Sequence, residues 1–98
     1  MDISKTVNAG ESVLALSGCL DTASVGKFDA ALEEAAKAPL LVIDFTALEF
    51  IASSGLRSLV AANKRAIAEG RSIVLTGMND VVGEVFDVTG LNEVFTIR

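Results

Sequence analysis

The sequence has no histidine, one cysteine and one proline in 98 residues, and the first absence removes the most chemistry. Without His there is no Ser-His-Asp triad, no Cys-His pair and no His-based metal site. Neither GxxxxGK(S/T) nor GxGxxG occurs, so the common backbone cradles for nucleotide phosphates are missing as well. The lone Cys19 has no partner for an intramolecular disulfide and no His to activate it. It reads as a small strand hydrophobe, and an unstapled small chain fits a reducing compartment.

Positive charge is scarce too. Eight Lys and Arg face thirteen Asp and Glu, giving a net charge of −5 and a pI near 4.5. Nucleic acid binding needs an excess of cations to meet the phosphates, and anionic membrane surfaces make the same demand. The expected partner is therefore another protein. Apolar runs such as Pro39 to Ile43 break off well short of the roughly 18 residues a membrane span requires. The start, Met1-Asp2-Ile3-Ser4-Lys5, lacks a basic region followed by a long apolar stretch. No membrane insertion and a cytoplasmic location are expected.

What is present suits a globular α/β protein. The chain is 51% hydrophobic and 21% charged, enough apolar side chain to build a core. Its length fits one domain over residues 1–98, expected to be a monomer, burying about two-thirds of the surface its unfolded form exposes. Residues 12–20 alternate, with Val13, Ala15, Ser17 and Cys19 on one face of a strand and Leu14, Leu16 and Leu20 on the other. Ile3 to Asn8 is placed to pair with it as an antiparallel hairpin across Ala9-Gly10-Glu11.

From Asp21 the period becomes helical through Val25, Phe28, Leu32 and Ala35, with Asp21 or Thr22 as the cap and Pro39 as the stop. Leu40 to Phe45 reads as a central strand covered on both faces. Ser53 to Glu69 repeats the helical period through Leu56, Leu59, Val60, Asn63 and Ile67, closed by Gly70. Ser72 to Thr76 is a short strand, Asn79 to Thr89 a short helix capped by Asn79 or Asp80, and Val94 to Ile97 a last strand. The expected order is ββαβαβαβ: a mixed β-sheet with parallel pairs joined by right-handed crossovers, packed with about three to four helices.

Two acids, Asp21 and Asp44, stand near strand ends, where α/β folds gather their ligand loops. A paired-carboxylate site is conceivable there, but capping and turn-making account for both. No enzymatic activity and no cofactor are expected. The more informative segment is Phe50-Ile51-Ala52-Ser53-Ser54-Gly55-Leu56-Arg57, which joins a strand to a helix. Ser53 and Ser54 both qualify as caps. A phosphate on either would sit at the positive end of the helix dipole. Arg57 follows Ser53 at i+4 and is placed to pair with a phosphate there. Arg57, Lys64, Arg65 and Arg71 cluster on or just after this helix, as either a solvated polar face or a docking surface for an acidic partner.

The segment resembles the phosphorylation loop of the STAS domain family (sulfate transporter and anti-sigma factor antagonist), in which a DSxG-like sequence opens the second helix. Gly18-Cys19-Leu20-Asp21 resembles the family's GxLD, Val42-Ile43-Asp44-Phe45 its apolar strand closing in Asp, and Thr89-Gly90-Leu91 its C-terminal TGL. The resemblance implies the STAS fold and an anti-sigma factor antagonist. Such a protein binds an anti-sigma factor, often a serine kinase, frees the sigma factor, and is switched off by phosphorylation.

Matching Gly55 to the motif glycine makes Ser53 the phosphorylation site, with Ser54 the runner-up. Asp21, Thr22, Asp44, Ala52, Ser53, Ser54, Gly55 and Arg57 form the implied partner-contact set, with Asp21 near the partner's nucleotide-bearing surface and Asp44 beside the loop. Ala52 departs from the Asp of better-known members. That departure favours an alternative, since STAS-like domains also serve as non-enzymatic subunits of lipid ABC transport complexes.

Overall fold

The computed structural model describes residues 1–35 and 37–98. The elements are β1 (Asp2–Asn8), β2 (Glu11–Leu20), α1 (Val25–Ala35), β3 (Leu40–Ile51), α2 (Ser53–Ala68), β4 (Ser72–Thr76), α3 (Asp80–Thr89), a 3-10 turn at Leu91–Glu93 and β5 (Thr96–Ile97). This is the expected order, with three α-helices. The strands lie in sequence order, β1-β2-β3-β4-β5; only the first pair is antiparallel.

That order dictates the layers. Each crossover steps to the next strand in the same direction, and right-handed crossovers that never reverse place every helix on one side of the sheet. The inward residues of the strands, Leu14, Leu16, Leu41, Ile43, Phe45 and Leu75, accordingly merge with Phe28, Leu59 and Phe86 of the helices into one buried cluster. Phe86 of α3 lies between Phe45 and Phe95, with ring centroids 6.1 Å away on both sides and tilted or edge-on geometry. Each such ring removes roughly 150–250 Å² from water. The opposite sheet face carries the row Thr6, Val13, Val42, Val74 and Thr96. Among the described residues no helix is long and apolar enough to cross a membrane.

Three expectations change. The central strand does not end at Phe45 but runs to Ile51. Beyond Asp44 it leaves β4 and continues against β2 alone, with register shifts between Ala15 and Ser17 and between Gly18 and Cys19. Phe45, Leu48 and Ile51 are buried with two exposed residues between each, a spacing of three that disguises the strand. In α2 the buried residues are Gly55, Leu56, Leu59, Ala62, Asn63 and Ala66, while Ile67 is 68% exposed. Small alanines allow α1 to pack close, so the contact stripe rotates away from the larger Ile67. The last strand shortens to Thr96–Ile97 because the 3-10 turn consumes the residues before it and buries Phe95.

Candidate functional site

The carboxyl ends of β2 and β3 lie side by side: Leu20 pairs with Ile51, and the Ala52 N–H donates to the Leu20 carbonyl at 2.8 Å. The β2–α1 turn and the start of α2 are therefore neighbours. Asp21 organises its turn, its Oδ1 accepting from the N–H groups of Ala23 and Ser24, each at 3.1 Å. The Ser24 hydroxyl accepts from the Asp21 N–H at 3.0 Å and lies 3.0 Å from Asp21 Oδ1. Asp21 thus caps the turn that leads into α1 rather than the helix itself, which begins at Val25, and Thr22 is exposed beside it.

The start of α2 differs from the sequence reading. Its N-cap is Ala52, in extended conformation and with no side-chain cap, so Ser53 and Ser54 are not caps but the first helical residues. The bond from Ala52 to Leu20 holds Ala52 in the sheet's line, and the helix begins one residue later. The Ala52 carbonyl accepts from Gly55 and Leu56 at 3.0 and 3.2 Å. Ser53 is exposed, whereas the Ser54 Oγ is buried without a hydrogen-bond partner among the described residues. The two hydroxyls, equivalent by capping logic, differ in access.

Gly55 is required by proximity. A Cβ there would lie 2.7 Å from Leu20 Cγ and 3.1 Å from Ile51 Cγ1, so any side chain would push α2 off the ends of β2 and β3. Arg57, one turn after Ser53, is exposed and shares a 450 Å³ groove with it, together with Leu56, Val60, Lys64 and Leu91. Ala52, Ser53, Gly55 and Arg57 thus gather at one end of the sheet with Asp21 and Thr22.

Asp44 does not join them. It pairs with Ala15, while Asp21 follows Leu20 on the same strand, a separation of roughly 20 Å at the rise of extended chain. This separation removes the paired-carboxylate arrangement. Since β3 continues seven residues past Asp44, the residue is not beside the loop. It organises the bend of β3 instead, accepting from the Thr46 N–H at 2.9 Å and hydroxyl at 2.6 Å. Gly77, at φ +78°, closes over this bend where a Cβ would meet Thr46 Oγ1 and Asp44 Oδ1. Cys19 sits on β2 but is exposed, not packed as a strand hydrophobe.

Asn79, one of the two caps expected from the sequence, has a second role. Its side chain accepts from the Val82 N–H at 2.8 Å and donates to the Leu48 carbonyl at 3.1 Å, sealing the edge of β3 where β4 has ended. An Asn before a helical period signalled the cap, but nothing in the sequence signalled the second bond.

Among curated proteins none matches this chain. An anti-sigma factor antagonist from Mycobacterium paratuberculosis superposes with a TM-score of 0.88 at 24% identity, over 98% of this chain and 83% of that one. An anti-sigma-factor antagonist (STAS) domain protein from Planctomyces limnophilus gives 0.85 at 26% identity, over 98% and 87%. The anti-sigma factor antagonist SpoIIAA in its unphosphorylated form gives 0.84 at 21% identity, over 99% and 88%. The family model described as "Mlab, STAS domain" matches residues 3–97. With that match over nearly its whole length, on a one-sided sheet whose second helix opens at Ser53-Ser54-Gly55, this chain belongs to the STAS domain family.

Proposed function

We propose that this protein is an anti-sigma factor antagonist: it binds an anti-sigma factor, releases a sigma factor, and loses that partner when Ser53 is phosphorylated. The observation that carries the reading is the start of α2. Ser53 presents an accessible hydroxyl on the first turn of a helix with no side-chain cap, beside Arg57. An added phosphate would carry about −1.5 to −2 charges into a place already suited to an anion, so the fold tolerates it. The cost falls on the partner, which must bury that charge or withdraw. Ser54 is the poorer acceptor because its hydroxyl is buried. Asp21 and Thr22, beside the loop, complete the contact surface. The protein acts by binding, without catalysis, as a cytoplasmic partner of a kinase-type anti-sigma factor.

The test is phosphate incorporation by the cognate anti-sigma kinase. Ser53→Ala is expected to abolish incorporation and keep binding; full incorporation in Ser53→Ala, lost only in Ser54→Ala, would move the site to Ser54.

A second reading is favoured by Ala52 and by the family model's own description, Mlab. There the same surface serves a transport complex, and no kinase need read a carboxylate at position 52. Co-purification with an ATPase subunit, together with no binding to any kinase-like anti-sigma factor, would select it.

A further inference from the structure

Helix α2 stands apart electrostatically. From Ser53 to Ala68 it carries Arg57, Lys64 and Arg65 and no acid, a charge of +3 in a chain of −5, which leaves −8 for the rest (−5 − 3 = −8). Among the described residues none of these three cations forms an ion pair. Arg65 turns toward α1, lining a cavity with Glu33 and Glu69. Arg57 and Lys64 instead edge the 450 Å³ groove whose floor is Leu56, Val60, Ala61 and Leu91. Seven residues apart, they stand about 10 Å from each other along one side of the helix.

Across the groove from α2 stands Thr89, the last residue of α3, and α3 is apolar on two faces. Val82 and Phe86 are buried, yet Val81 and Val88 are 55% and 80% exposed, and Val85 lies half-buried between them. A helix apolar around most of its circumference belongs in an interior, and adjoining exposed apolar surface marks an interaction site. Thr89 lines both the groove and the hollow over Val85 and Val88, so the two surfaces are continuous.

We propose that this groove between α2 and α3 receives an amphipathic α-helix of the partner protein, with an apolar face on Leu56, Val60, Leu91 and Val88 and two acidic residues about two turns apart on Arg57 and Lys64. The inference rests on the partner-binding reading above and specifies the chemistry of the partner. The stretch from Ser53 to Lys64 accommodates about three helical turns, roughly 17 Å. A helix laid in a groove is anchored by apolar residues at i, i+3, i+4 and i+7 and placed in register by charge. An anionic lipid surface fits less well, because the site is concave and the rest of the chain carries −8. Ser53 lies at the end of the same groove. A phosphate there competes for Arg57 and repels the incoming acid, which couples modification to binding.

The experiment is an NMR titration of the full chain with a synthetic sixteen-residue helical peptide, leucines on one face and glutamates seven apart. Shift changes are expected at Leu56, Val60, Ala61, Leu91 and Val88. Arg57→Glu with Lys64→Glu should weaken the peptide about tenfold, as should replacing its glutamates by lysine. Val88→Asp, also on the surface, provides an independent variant, and unchanged thermal melting shows that each variant folds. Perturbations on the uncovered sheet face, equal affinity for the lysine peptide, or binding of the chain to anionic vesicles in place of the peptide would overturn the proposal. Peptide binding with no affinity for the anti-sigma kinase would remove the sigma-factor reading and keep the groove; kinase binding unaffected by Arg57→Glu and Lys64→Glu would do the reverse.

Discussion

Helices α2 and α3 both follow a parallel strand at the same end of the sheet, but they begin in opposite ways. At α3 the Asn79 side chain accepts from Val82 and donates to the Leu48 carbonyl, and the helix closes on Gly90 in the left-handed conformation. At α2 the cap position is Ala52, which offers no side-chain oxygen. The first start is satisfied internally and ties down the loose edge of β3. The second leaves its helix-start charge facing outward, next to the accessible hydroxyl of Ser53. A helix terminus with no cap sacrifices some stability, and such positions mark where a fold meets something other than itself.

If α3 is held by its anchors, Phe86→Ala should be the most damaging change, costing about 3–5 kcal/mol in chemical denaturation because it empties the space between Phe45 and Phe95. Gly55→Val tests the close approach of α2. Its side chain meets Leu20 and Ile51, and about 1–3 kcal/mol of destabilisation is expected, with reduced partner binding as the helix start shifts. A neutral outcome would show that α2 is not pressed on the strand ends. Asn79→Ala removes a cap and strands the Leu48 carbonyl, for about 1–2 kcal/mol in the same assay.

The reverse change, Ala52→Asp, should stabilise by about 0.5–1 kcal/mol, because it supplies the missing cap and a favourable charge. It should also raise phosphate incorporation if the kinase reads a carboxylate there. Equal losses from Asn79→Ala and Ala52→Asp would dissolve the contrast between the two starts. Ser53→Ala is expected to change stability by less than about 0.5 kcal/mol, since its hydroxyl is exposed.

Much of this was readable in advance. The alternation Leu14, Leu16, Leu20, the period Phe28, Leu32, Ala35 and the cap at Asn79 each reflect a local rule, and each element sits where those residues indicated. The resemblance named Asp21 and Ser53 in one contact set, and the pairing of Leu20 with Ile51 sets the two segments that carry them side by side. The placement of Asp44 was not readable, because two register shifts and a bend carry β3 seven residues beyond it. Those irregularities erase the period of two on which strand recognition depends.

By itself, then, the sequence determined the element types and their order, consequences of local periodicity, whereas the one-sided winding and the meeting of the β2 and β3 ends came from the strand order. Tertiary structure alone decided which serine is accessible, which face of α2 is buried and how far β3 extends. These depend on close approach between segments distant in the chain, Gly55 against Leu20 and Asn79 against Leu48. No local pattern encodes such contacts, because steric fit and the satisfaction of backbone hydrogen bonds are settled only when the segments meet.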